Sequence, residues 1–150
     1  MGTTCCPECT DGQSCGKYHV YVIELSRDAA GRRGLPRVDL LHHPDRRFYY
    51  VGMTAHTPAC RFRQHQLWVD EEVKDFPCTC FGQGEEVMRR FGRDGVNGTR
   101  GNRLAGDFGI ELVWRLVRGR NPLPTQDEGF AEEKRLAAEL RAKGHGVHQA

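Results

Sequence analysis

His19-Val20-Tyr21-Val22-Ile23-Glu24-Leu25 and Arg47-Phe48-Tyr49-Tyr50-Val51-Gly52 are the two stretches from which the fold is read. Both are rich in β-branched and aromatic residues and are bounded by turn formers, the pattern of buried strands. The two are expected to pair as a hairpin. Between them, Ser26 to Arg46 contains DAAGRRGLP and HHPD, turn-rich segments that describe a long excursion rather than a tight turn.

Working outward, Thr57-Pro58 reads as a helix start. The hydroxyl serves as N-cap, and proline takes the first helical position, where its missing N–H costs nothing. The helix runs through Cys60-Arg61-Phe62-Arg63-Gln64-His65-Gln66-Leu67-Trp68. Residues 70–107 are glycine-rich and charged and read as an insertion, with one short helix over Glu85–Phe91. Ile110–Val117 reads as a third strand, ended by the loop Gly119–Pro124. Thr125-Gln126-Asp127-Glu128 fits a capping box opening a last helix, with Phe130, Leu136, Leu140 and Glu133 near one face. Gly144 and Gly146 stop it, and Val147-His148-Gln149-Ala150 returns along the sheet edge. The expected class is α+β: a three-stranded antiparallel sheet flanked by helices, with long inserted loops. Residues 18–150 form one domain and residues 1–17 a cysteine-rich tail or zinc knuckle.

A chain of 150 residues suffices for one self-sufficient core. No apolar run approaches the roughly 20 residues needed to span a bilayer, and the first 17 residues lack a signal-peptide core. A cytoplasmic protein without a membrane partner is expected. The formal charge of +2 is too small to imply nucleic-acid binding. Its distribution says more, because Arg89 to Arg120 holds eight arginines against three acids, a basic stretch suited to phosphate contacts or to a solvated surface.

The informative constellation is a strand with a central tyrosine, a second strand ending Tyr50-Val51-Gly52, and a helix carrying Arg61 and His65. Side chains four apart share a helical face and can address one site. A carboxylate from the last helix completes a hydrolytic centre. In this order the chain resembles the GIY-YIG nuclease superfamily: His19-Val20-Tyr21 stands for the first motif, Tyr50-Val51-Gly52 for the second, Arg61-x-x-x-His65 for the helix motif and Glu133-x-x-Leu136 for the metal-binding helix. Histidine stands at position 19 where the family has glycine, Met53 occupies a place often polar or basic, and the family's terminal asparagine is replaced by a neighbourhood of His145, His148 and Gln149.

The resemblance implies a metal-dependent endonuclease acting on DNA. Glu133 would hold one Mg²⁺ or Mn²⁺, hard cations that prefer oxygen and keep several waters; the adjacent Glu132 is the alternative. Tyr21 would be general base or position the water, with Arg61 favouring its phenolate and clamping a phosphate oxygen. His65 would bond Tyr21 or move a proton, and Tyr50 would orient phosphate or water. Gly52, Arg63, Asn102 and Arg103 are candidate nucleic-acid contacts, Gly52 by allowing close backbone approach.

The cysteines raise a separate possibility. Cys6 and Cys9 have CxxC spacing, and Cys78 with Cys80 could complete a tetrahedral structural Zn²⁺ site, the alternative being a tail with reduced thiols. A second functional class also stands: a non-catalytic nucleic-acid-binding module on the same scaffold.

Overall fold

A computed structural model describes residues 17–32, 35, 44–69, 74–78, 87–91 and 100–149, the side chains of 64, 67–69, 74–78, 87–91 and 100–103 excepted. Strand β1 (His19–Leu25) and strand β2 (Phe48–Thr54) form an antiparallel pair in which Tyr21 faces Gly52 and Ile23 faces Tyr50. Helix α1 (Pro58–Val69) follows, then strands β3 (Lys74–Cys78) and β4 (Val87–Phe91), which pair with each other alone. Helix α2 (Arg100–Phe108) runs directly into strand β5 (Gly109–Leu112). Helix α3 (Gln126–Ala142) and strand β6 (Gly146–Gln149) complete the chain order. The main sheet has the order β5-β1-β2-β6, antiparallel except for the parallel pairing of β6 with β2.

Alternation along the hairpin divides the interior into two cores. Val20, Val22, Tyr49 and Val51 point to one face, where Leu136, Ala137 and Leu140 of α3 cover them with Val113, Val117 and Val147. Tyr21, Ile23, Leu25, Phe48 and Tyr50 point to the other, under Leu104 and Ala105 of α2 and the partly buried Phe62 of α1. A sheet covered on both faces needs apolar residues at successive positions, which is why β1 and β2 read as nearly continuous apolar runs.

The helix signals act as their chemistry requires. The Thr57 hydroxyl accepts from the Cys60 N–H at 3.1 Å, and the Thr125 hydroxyl from the Glu128 N–H at 3.1 Å. Helix α3 ends on Gly144, whose φ of 92° is open to glycine at little cost. There the His145 N–H bonds the Leu140 carbonyl and the Gly144 N–H bonds that of Arg141, the paired closure that stops a helix and redirects the chain. That turn sends β6 back beside β2.

Three expectations are corrected. The sheet is four-stranded and mixed rather than three-stranded and antiparallel, because the returning segment pairs parallel with β2 over Phe48–Val51. Val87–Phe91, read as helical, is a strand whose partner is Lys74–Cys78; a short run with apolar residues at both ends satisfies either period, and cross-strand pairing decided it. The third strand ends at Leu112 rather than Val117. After it the Val113 N–H still bonds the Val22 carbonyl at 2.9 Å, but Trp114–Leu116 form a 3-10 turn. The insertion expected over 70–107 also contains β3, β4 and most of α2, whose Leu104 and Ala105 are buried in the core. No helix among the described residues is long and apolar enough to cross a membrane.

Past β5 the outer edge of β1 is closed by single residues. The Asn121 side chain accepts from the Val20 N–H at 2.8 Å and donates to the Val20 carbonyl at 2.9 Å, mimicking a strand residue. Tyr18 and Leu123 exchange backbone bonds beyond it. Because Val20 is fully buried, Asn121→Ala leaves both backbone groups without partners. The substitution is expected to cost about 1–3 kcal/mol. Urea unfolding should show a lower midpoint at unchanged slope; an unchanged midpoint would mean that water replaces the amide.

Candidate active site

Tyr21 lies at the centre of a buried polar cluster. Its hydroxyl is 2.9 Å from His65 Nε2, so phenol and imidazole share a hydrogen bond whose direction follows the ring tautomer. The Tyr50 ring stands edge-on to His65, with centroids 5.1 Å apart, and lies 6.2 Å from the Tyr21 ring. Tyr21, Tyr50 and His65 are all within 1% of complete burial. Helix α1 supplies His65 and Arg61 from one face, Arg61 being 9% exposed, while Arg63 between them turns to solvent. Arg61 and Tyr21 interact through charge and a hydrogen bond.

Gly52 has a local role in this arrangement. A Cβ there would come within 2.5 Å of the Tyr21 hydroxyl oxygen and 2.6 Å of its Cζ. The space above Gly52 is thus filled by the ring of its cross-strand partner, and the glycine lets Tyr21 lie flat across β2 toward α1.

Burial raises the Tyr21 pKa above the ordinary tyrosine value, and outweighs the opposing charge and hydrogen bond of Arg61 and the hydroxyl of Tyr50. Tyr21 is therefore a neutral phenol near pH 7, not the phenolate that a neighbouring arginine alone suggests. The negative charge of Glu133 adds to the upward pull, which ties α3 to the cluster electrostatically.

The two adjacent glutamates of α3 are sorted by their partners. Glu132 is bonded by Arg120 at 2.6 Å and by Arg135, so it belongs to a structural ion-pair network. Glu133 is 2% exposed and, among the described residues, has no cationic partner. Burial pushes its carboxyl up to about 7, and the Gln149 side chain opposes this by donating a hydrogen bond. A carboxylate desolvated without a counter-charge, in a polar site, suits a hard divalent cation bound through one protein oxygen and several waters. Among the described residues no group of three or more His, Cys, Asp or Glu side chains forms a metal cage.

Strand β6 contributes two residues absent from the sequence-derived set. His148, opposite Tyr50 in the parallel ladder, stacks on its ring with centroids 5.4 Å apart and planes 14° from parallel. Gln149 reaches Glu133. The signal for them was their place after the last helix, in the neighbourhood where the resembled family carries its terminal asparagine. Asn102 and Arg103 lie in α2, their side chains outside the described residues, and Cys78 lies in β3 under the same limit. Cys6, Cys9 and Cys80 lie outside the described residues altogether.

The raised Glu133 pKa has a testable sign. The folded state holds this proton more tightly than the unfolded chain, so the group favours folding most below its ordinary 4.5 and loses that contribution as pH rises through about 7. Glu133→Gln is therefore expected to stabilise the metal-free protein by about 1–3 kcal/mol at pH 8, with the gain vanishing near pH 4.5. Thermal melts across that range check it, and a gain independent of pH would contradict a buried ionising carboxyl. No protein-family model matches the chain, and comparison with curated proteins and with solved structures gives no match.

Proposed function

We propose that the chain is a divalent-metal-dependent endonuclease of the GIY-YIG type, hydrolysing phosphodiester bonds in DNA. The observation that carries this reading is the buried cluster in which Tyr21 bonds His65 beside Tyr50 and Arg61, from β1, β2 and α1, together with the buried Glu133 of α3, whose charge acts on Tyr21. Five chemically suited side chains drawn from four elements are a poor fit to a purely structural role, because burying tyrosine, histidine, arginine and glutamate together costs solvation that an apolar core would not.

Phosphodiester hydrolysis needs a deprotonated water, stabilisation of the extra negative charge at phosphorus, and protonation or neutralisation of the leaving oxygen. A Mg²⁺ or Mn²⁺ ion held by Glu133 would supply Lewis acidity and a water of lowered pKa. The Arg61 guanidinium offers paired donors to non-bridging phosphate oxygens. Tyr21 works as a neutral phenol in this scheme. Its hydroxyl positions the water, and as it takes up a proton it passes its own along the 2.9 Å bond to His65 Nε2. Tyr50, fixed between His65 and His148, orients the phosphate or the water.

Supercoiled plasmid incubated with the protein and Mg²⁺ or Mn²⁺ is expected to become nicked or linear. Glu133→Ala and Arg61→Ala should each lower the rate roughly 10²- to 10³-fold. Undiminished cleavage by both variants would overturn the assignment. Salt-dependent DNA binding without cleavage under any divalent metal would point instead to a non-catalytic nucleic-acid-binding module.

A further inference from the structure

A second charged feature lies where β2 begins and α3 ends. The Arg46 guanidinium covers Gly144, so that a Cβ on that glycine would be 2.7 Å from Arg46 Nε. The Arg47 backbone N–H donates to His145 Nδ1 at 3.0 Å, and the His145 ring stands edge-on to Tyr49. Lys143 is the C-cap of α3, and Arg115 lies in the 3-10 turn after β5. Burial first, and then the charges of Lys143, Arg47, Arg115 and Arg46, hold the His145 pKa below the ordinary histidine value.

Among the described residues none of these four side chains has a carboxylate partner; the ion pairs go to Arg120 and Arg135. The Arg47 guanidinium is held by the Pro44 and Arg46 carbonyls, which leave its charge uncancelled. Asp45, their neighbour in sequence, pairs with none of them. The C-terminus of α3 contributes the equivalent of about half a negative charge, far short of four formal positive ones. Such a like-charged group repels itself unless an anion joins it.

We propose that Arg46, Arg47, Arg115 and Lys143 form a phosphate-backbone site for duplex nucleic acid, which, on the nuclease reading above, is an extension of the substrate contact. The ten residues of α3 between Glu133 and Lys143 correspond to about 15 Å of helix. At 3.4 Å per base pair this is roughly four to five base pairs. A duplex crossing both places therefore meets the cationic group well outside the cleavage site. These side chains are presented by three separate segments, which suits several successive phosphates better than one small anion.

Arg115 and Lys143 are exposed and, among the described residues, form no side-chain hydrogen bond or ion pair, so Arg115→Glu/Lys143→Glu tests the site without removing a described contact. Binding of a fluorescent duplex to the full chain is measured by anisotropy in EDTA, so that turnover does not intervene. The double variant is expected to bind more than tenfold more weakly at low salt, with the slope of log K against log salt shallower by about 2. The neutral pair Arg115→Gln/Lys143→Gln should give a smaller loss in the same direction, with thermal melts near wild type. Inorganic phosphate should displace the duplex no better than chloride of equal ionic strength. Unchanged affinity and slope in the double variant would overturn the site. So would displacement by phosphate at low millimolar concentration, which would indicate a small-anion site, or binding to anionic vesicles but not to duplex. If the double variant loses duplex binding while the wild-type chain cleaves no plasmid with Mg²⁺ or Mn²⁺, this site stands and the nuclease reading falls; cleavage lost in Glu133→Ala with duplex binding unchanged in the double variant separates them the other way.

Discussion

The side chain of Tyr21 lies in the space a Cβ on Gly52 would need, and this cross-strand fit sets the positions of the other parts of the site. It fixes the register of β1 against β2. A slip of one residue would move every side chain of a strand to the opposite face, sending Val20 and Val22 toward α1 and Tyr21 and Ile23 toward α3. It also decides where the phenol ends, and so where α1 must lie for His65 to reach it. The same strand carries Tyr50 on Tyr21's face and Tyr49 on the other. One hairpin thereby supports both the polar cluster and the apolar packing of α3.

Helix α3 has to present one glutamate of an adjacent pair inward, and charge pairing helps to set its rotation. Neighbouring helical residues differ by about 100° in direction. Arg120 reaches both Glu132 and Glu139, holding that side of the helix toward the loop after the 3-10 turn. Leu136 and Leu140 hold another side against the sheet. With those constraints met, Glu133 is left buried beside Gln149, away from any arginine of the network. The structural ion pairs and the desolvated carboxylate are therefore two results of one helical orientation.

Much of this was legible in the sequence where local chemistry and long-range packing ask for the same thing. The two strands of the hairpin, the Thr57-Pro58 start of α1, the Thr125 cap of α3, its glycine stop and the return of the last residues to the sheet all carry their own signals. The meeting of Tyr21 with His65 followed from motif order and helical spacing. What escaped depended on partners. Val87–Phe91 becomes a strand because Lys74–Cys78 lies beside it. Leu112 ends its strand although apolar residues continue, because the chain turns to cover the opposite face with Val113 and Val117. The register of Leu136 and Leu140 favoured Glu133 over Glu132, but the pairing of Glu132 with Arg120, a dozen residues away, was not legible there. The protonation of Tyr21 was hidden too, because burial is a property of the assembled core.

Asn121 has a consequence outside its own hydrogen bonds. A sheet edge exposes alternating donors and acceptors that any extended peptide can match, and such edges are where proteins join into fibres. Along β1 that edge is occupied in turn by β5, by the Val113 N–H, by the Asn121 amide and by Leu123. The strands that remain outermost in the main sheet, β5 and β6, are four residues each. One side-chain amide thus helps keep the longest strands of this sheet from templating the addition of another chain.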